Sequence, residues 1–248
     1  MKGSNAKGSS LNTLSRIRGY YKRLTLGPNP NILVHVGKCG GSTLKKAAKR
    51  QQRYKSMKVV HIKKPPIHKG ASYLLTIRNP ISRALSAFNW RYKLVVEDET
   101  QKDRFQGEWA ILTKYGTLDT LALSLYAKDG SANAEAQQDF LSIHHLGENI
   151  HFYLGELLQS VEPDQIRGVF SQEFLDSDIY DIFGLPSTER RKSNKKITEP
   201  SRLELSPQAV ENMKRFLRND YECIERLHEM EKISDYKYSV IMSYEDSP

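Results

Sequence analysis

The sequence predicts an α/β domain built on a central parallel sheet with helices covering both faces. Three observations carry that expectation. Short apolar runs rich in β-branched residues alternate with longer segments of helical periodicity, the order that builds βαβ units. These runs hold consecutive apolar residues rather than one at every second position, as in strands buried on both faces. Glycine and proline punctuate the junctions, where the chain has to change direction.

The elements follow in order. "NILVHV" (31–36) is the first strand, and Leu44, Ala47 and Ala48 then recur at i, i+3 and i+4, so a helix begins near Ser42. "KVVHI" (58–62) is the second strand, closed by Pro65-Pro66, and "SYLLTI" (72–77) is the third, stopping at "RNP". Asn79-Pro80 opens a helix: a capping side chain, then proline at the first helical position, where its missing N–H costs nothing. Ile81, Leu85, Phe88 and Tyr92 mark that helix's apolar face. Residues 105–160 read as mainly helical, with breaks at Gly116, Asp129-Gly130 and Gly147, and "IRGVF" (166–170) is a fourth strand. Ser206-Pro207 opens a long helix whose apolar face holds Val210, Met213, Leu217, Ile224 and Leu227. "TERRKSNKKITEP" (188–200) has no apolar periodicity and reads as a loop. The organisation expected is a basic, flexible arm over 1–28 and one α/β domain over 29–248.

The 248 residues are enough to bury a full core. Lys+Arg number 38 against 29 Asp+Glu, a net charge of +9, and the pI is about 9.4. Such a surplus attracts anions without choosing among nucleic acid, acidic lipid, phosphorylated ligand or anionic glycan. Cys39 and Cys223 are too few for a disulfide framework or a cysteine metal site, which favours a reduced compartment. No run reaches the ~18 apolar residues of a membrane span, and "MKGSNAKGSSLNTLSRIRGYYKRL" lacks the apolar centre of a secretory signal. A soluble, cytoplasmic protein is therefore expected.

The stretch Gly37-Lys38-Cys39-Gly40-Gly41-Ser42-Thr43 has the parts of a phosphate cradle. A strand ends, glycines let backbone approach a ligand, and a helix N-terminus offers unpaired N–H groups. In the usual nucleotide loop the lysine follows the glycines; here it precedes them, so it reaches a different part of the anion. The third strand ends in Arg78, where a nucleoside triphosphatase carries an aspartate for Mg²⁺. A guanidinium there argues against Mg-ATP and for a second phosphate gripped directly by protein.

These residues together closely resemble the sulfotransferases that use 3′-phosphoadenosine 5′-phosphosulfate (PAPS). The resemblance rests on Lys38-Cys39-Gly40-Gly41-Ser42-Thr43 after one strand and "IRNPISRALSAF" (77–88) after another. It extends to "GVFSQEFL" (168–175), "ERRKSNKK" (189–196) and "NDYECIERL" (219–227), about residues 31 to 230 in all. "HVGKCGGSTL" and "RNPISRALSAFNWRY" are closer to the carbohydrate and Golgi types than to the cytosolic aryl type, although a membrane anchor is missing. The resemblance implies a P-loop-like three-layer α/β/α fold with the 5′-phosphosulfate held by residues 38 to 43. It implies that Arg78 and Ser86 bind the 3′-phosphate, and that Ser193, Asn194, Lys195 and Lys196, with Arg190 and Arg191, close a basic loop over the nucleotide. Ser86 sits about seven residues into its helix, ~10 Å along the axis, so it would meet a phosphate from the side.

The expected reaction is transfer of a sulfuryl group from PAPS to a hydroxyl, with a carbohydrate as acceptor, 3′,5′-ADP as product and no metal. Lys38 neutralises charge on the leaving group, and His61, near the end of the second strand, is the candidate base. His68 is its rival, Lys63 a possible assistant, and His61 could instead be packed structurally. His35 reads as structural, His144 and His145 as helical neighbours of an acceptor pocket, and Arg83 as either a nucleotide contact or a solvated helix position. Cys39 at a helix N-terminus could be a reactive thiol, but it fills a variable position of the loop motif. Two other readings stay open: a non-catalytic basic module for anions, and a P-loop small-molecule kinase. No nucleic-acid motif is visible, so no nucleic-acid partner is expected.

Overall fold

The computed structural model describes residues 27–185 and 204–244. Residues 1–26 of the basic arm, the loop over 188–200 and all of Arg190, Arg191, Ser193, Asn194, Lys195 and Lys196 lie outside the described residues. The fold is α/β with a four-stranded, wholly parallel sheet of order β2-β1-β3-β4. The strands are β1 (Asn31–Val34), β2 (Lys58–Val60), β3 (Ser72–Ile77) and β4 (Ile166–Ser171). Among the described residues the helices are α1 (Gly41–Lys49), α2 (Pro80–Tyr92), α3 (Glu108–Tyr115), α4 (Leu118–Ser124), α5 (Ala134–Ser142), α6 (Ile150–Ser160), α7 (Leu175–Phe183), α8 (Pro207–Phe216), α9 (Arg218–Glu229) and α10 (Asp235–Met242). None of them is long and apolar enough to cross a membrane.

Because successive strand side chains alternate between faces, each continuous apolar run feeds two cores. Leu33, Leu74 and Phe170 pack against α1 and α7 on one face. Ile32, Val34, Tyr73, Leu75 and Val169 pack against α6 and α9 on the other. A third cluster, holding Ile81, Phe88, Leu121, Phe140 and Met213, joins α2, α4, α5 and α8 without a strand residue.

The chain runs from β1 through α1 to β2 on one side, then returns to β3 on the other side of β1 and continues to β4. The carboxyl ends of β1 and β3 are therefore a topological switch point, where open α/β sheets bind ligands. Thr76 Oγ1 accepts the Val36 amide at 3.0 Å, so the chain leaves the sheet after Val34 while still tied to β3.

Asn79 caps α2 as its Asn-Pro pair predicts: its side chain accepts the Ser82 N–H at 2.9 Å. Its amide nitrogen also donates to the carbonyls of Ile241 (2.9 Å) and Ser243 (3.2 Å), which fastens the end of α10 to the start of α2. The long helix expected after Ser206-Pro207 is two helices instead, meeting at Leu217 with φ −92° and ψ 18°. Leu217 stays buried, so the apolar periodicity continues across the break. The kink brings fully buried Asp220 to the N-terminus of α6, where it accepts the amides of His151 (2.9 Å) and Ile150 (3.3 Å). An anion at that position suits the helix dipole.

Candidate active site

Past β1 the chain turns at Lys38, which has φ 69°, and Lys38 meets Arg78 from the end of β3. An Arg78 Nη1 donates to the Lys38 carbonyl at 3.5 Å. Both cations are destabilised where they stand. Burial, then the field of Arg78, pulls Lys38 down to about 8, and burial lowers Arg78 as well. The Lys38 Nζ rests 4.8 Å from the centroid of the Trp90 ring. Two partly desolvated cations side by side, with an aromatic face in place of a carboxylate against the lysine, form a site ready for an anion.

The turn between them and α1 needs its glycines. Gly40 has φ 73°, a left-handed conformation that glycine adopts without a Cβ penalty. At Gly41 a Cβ would run into the His35 ring. Among the described residues no side chain caps α1, and no acid lies in its first turn, so no described side chain claims its leading amides. Ser42 is exposed and Thr43 half-buried at that end. Cys39 differs from its neighbours: its thiol is buried in the core, pushed up to about 12 by burial, and its amide donates to the Val36 carbonyl at 3.4 Å. That chemistry makes it an inert packing group rather than a reactive thiol.

The histidines come together at the same edge. His61 lies one residue past β2 and its Nδ1 is 2.9 Å from the His35 carbonyl oxygen. With the proton on Nδ1 donated to that carbonyl, Nε2 carries the lone pair a general base requires. The His35 and His61 rings stack at 4.3 Å with an interplanar angle of 19°, and the His145 ring lies 5.5 Å beyond His61. Burial and then the neighbouring imidazole lower His35 to about 4 and His145 to about 3, so both stay neutral around the candidate base. The backbone turns away at Ile62, φ 60°, whose amide donates to the Tyr153 hydroxyl at 2.9 Å. That bond from α6 holds His61 at the sheet's edge.

Other expected residues are placed differently. His68 precedes β3 at the opposite end of the sheet, its Nδ1 accepting the Gly70 amide at 3.1 Å, which removes it from the site. Lys63 is exposed. Arg83 is fully buried rather than solvated, and donates to the carbonyls of His145 (2.7 Å) and Glu148 (3.5 Å). His144 and His145 are not helical: α5 ends at Ser142, and Asn149 caps α6 by accepting the Phe152 amide. Ser86 is half-buried within α2. Trp90 and Glu148 carried no expectation at all. Glu173, at the end of β4, accepts the Asn79 amide at 2.8 Å and is raised by burial.

No protein-family model matches this chain, and neither a curated protein nor a solved structure matches it.

Proposed function

We propose that the protein is a sulfotransferase that moves a sulfuryl group from PAPS to a hydroxyl, with a carbohydrate as the expected acceptor. The observation that carries this reading is the pairing of Lys38 with Arg78 at the switch point, beside a helix N-terminus that no side chain caps. Two cations depressed by burial favour anionic partners, and α1 adds backbone donors.

PAPS would supply the activated sulfuryl group, and each of its two phosphate-bearing ends calls for anion donors of the kind found at this edge. The leading amides of α1 with Ser42 and Thr43 would hold the 5′ side, and Arg78 with Ser86 the 3′-phosphate. Lys38 lies on the strand side of the loop, where its charge offsets the negative charge that grows on the leaving oxygen. His61, with Nδ1 committed to the His35 carbonyl, takes the acceptor's proton on Nε2 as the new S–O bond forms. The neutral imidazole of His35 adds no charge to compete with it. A magnesium-dependent phosphotransfer has less support, since β3 is followed by Arg78 rather than a carboxylate.

Turnover tests the reading. The full chain incubated with PAPS and a panel of neutral and anionic oligosaccharides is expected to release 3′,5′-ADP only with a suitable acceptor. PAPS binding without release across every hydroxyl class offered would instead favour the non-catalytic anion-binding module.

A further inference from the structure

The turn between α5 and α6 brings together three donor side chains that the sulfuryl-transfer reading does not use. We propose that His144, His145 and Glu148 form a transition-metal site suited to Zn²⁺. The ligand atoms of the three side chains lie within 4.8 Å of one another. His144 Nδ1 and Glu148 Oε2 are 3.3 Å apart, the ~3.3 Å edge of a tetrahedron whose metal bonds are ~2.0–2.1 Å long. Two imidazoles with one carboxylate are a donor set that zinc takes when its fourth position stays open for water or substrate. Cysteine does not compete, since Cys39 and Cys223 are both buried.

An ion pair between His144 and Glu148 explains two of the three groups and leaves the third over. His145 Nδ1 is buried and has no hydrogen-bond partner among the described residues. Its residue is held with φ 70°, a conformation uncommon outside glycine that persists only where the surroundings impose it. Two buried arginines impose it. Arg83 grips the carbonyls of His145 and Glu148, while Arg91 holds Glu108 through Nε and Nη2, at 2.9 and 2.6 Å. Glu108 in turn accepts the His144 amide at 2.9 Å, and Phe105 stacks on the His144 ring at 4.4 Å. Ligands fixed from behind in this way are what a preorganised metal site requires. The His145 ring lies 5.5 Å from that of His61. A water or hydroxyl in the ion's open position would be acidified there.

The test uses the full chain, stripped with EDTA and desalted, and titrated with ZnCl₂ by calorimetry and with CoCl₂ by visible absorption. The expected result is one equivalent of either metal, with the Co²⁺ protein showing the intense visible bands of a four-coordinate centre. His144→Ala and Glu148→Gln should each weaken binding by more than the ~10–100-fold that loss of a supporting hydrogen bond costs. His68→Ala and His228→Ala, away from the turn, should leave it unchanged. Glu148→Gln keeps an oxygen acceptor for the His145 amide, and its thermal melt separates ligand loss from unfolding. Absence of saturable binding would overturn the proposal, as would binding that survives His144→Ala and Glu148→Gln or is lost with His228→Ala. Because only metal binding is read, failure of nucleotide binding or sulfuryl transfer would leave this result intact.

Discussion

His61 Nδ1 lies 2.9 Å from the carbonyl oxygen of His35, and this one contact decides which nitrogen of His61 can accept a proton. The two residues come from neighbouring parallel strands, one position past each strand's end, and their rings stack at 4.3 Å. His61→Ala should therefore lower kcat by ~10²–10⁴-fold, the range of a lost general base. Its affinity for 3′,5′-ADP should stay close to that of the parent. A variant with near-parental turnover would move the base elsewhere.

Lys38 makes two opposite contributions. Its ammonium is held at about 8 in the fold against an ordinary 10.5, so the unfolded chain binds more protons between those values and stability rises with pH across that window. Below pH 8 the lysine is charged in both states and the cost of burying it is fully present. Lys38→Met should then raise the melting temperature of the unliganded protein at pH 7, by a gain of about 1 kcal/mol or more, while lowering turnover more than tenfold. Parental turnover would remove Lys38 from the leaving group. In the parent, affinity for 3′,5′-ADP should fall as pH rises through about 8, with proton uptake on binding near that pH, measurable as a buffer-dependent heat.

Gly41 is the tightest point of the loop. A methyl group there meets the His35 ring, and His35 is the residue whose carbonyl orients His61. Gly41→Ala should cost ~1–3 kcal/mol by overpacking and reduce kcat as well, whereas Ser42→Ala at the exposed next position should leave stability nearly unchanged. Denaturant melts with parallel activity assays distinguish the two.

Asn79 serves two elements through one side chain, capping α2 and holding the end of α10. Asn79→Ala should destabilise by ~2 kcal/mol or more, the upper range for a lost cap, because a buried hydrogen-bonded link is lost with it. Asn79→Asp retains the cap acceptor and loses the donor to the Ile241 and Ser243 carbonyls. Amide exchange should then quicken in α10 first.

Local chemistry explains what could be read before the fold was in hand. The run 72–77 is β3 to the residue, and Asn79-Pro80 opens α2 as expected, since a buried strand and a capped helix start are written in adjacent residues. The break at Leu217 was hidden because the buried face continues through it and the cause, Asp220 reaching the N-terminus of α6, is a long-range contact. Lys38 and Arg78 were each picked out at a strand end, as groups for two different phosphates, but their contact with one another was not. The imidazole row was not, because it joins the ends of β1 and β2 to a turn after α5. Gly147 and the Asn149 cap marked that turn, yet the adjacent histidines read as helical. Arg83 read as either a nucleotide contact or a solvated helix position, and only the packed turn reveals why it is buried.

Calorimetric titration of 3′,5′-ADP into the full chain, beside 5′-AMP and Mg-ATP and with EDTA present in the nucleotide-only arms, tests the central claim most directly. The Lys38–Arg78 site predicts tight binding that depends on the 3′-phosphate, persists in EDTA and weakens at least tenfold in Arg78→Ala. Equal affinity for 5′-AMP, a preference for Mg-ATP, or no nucleotide binding would contradict it.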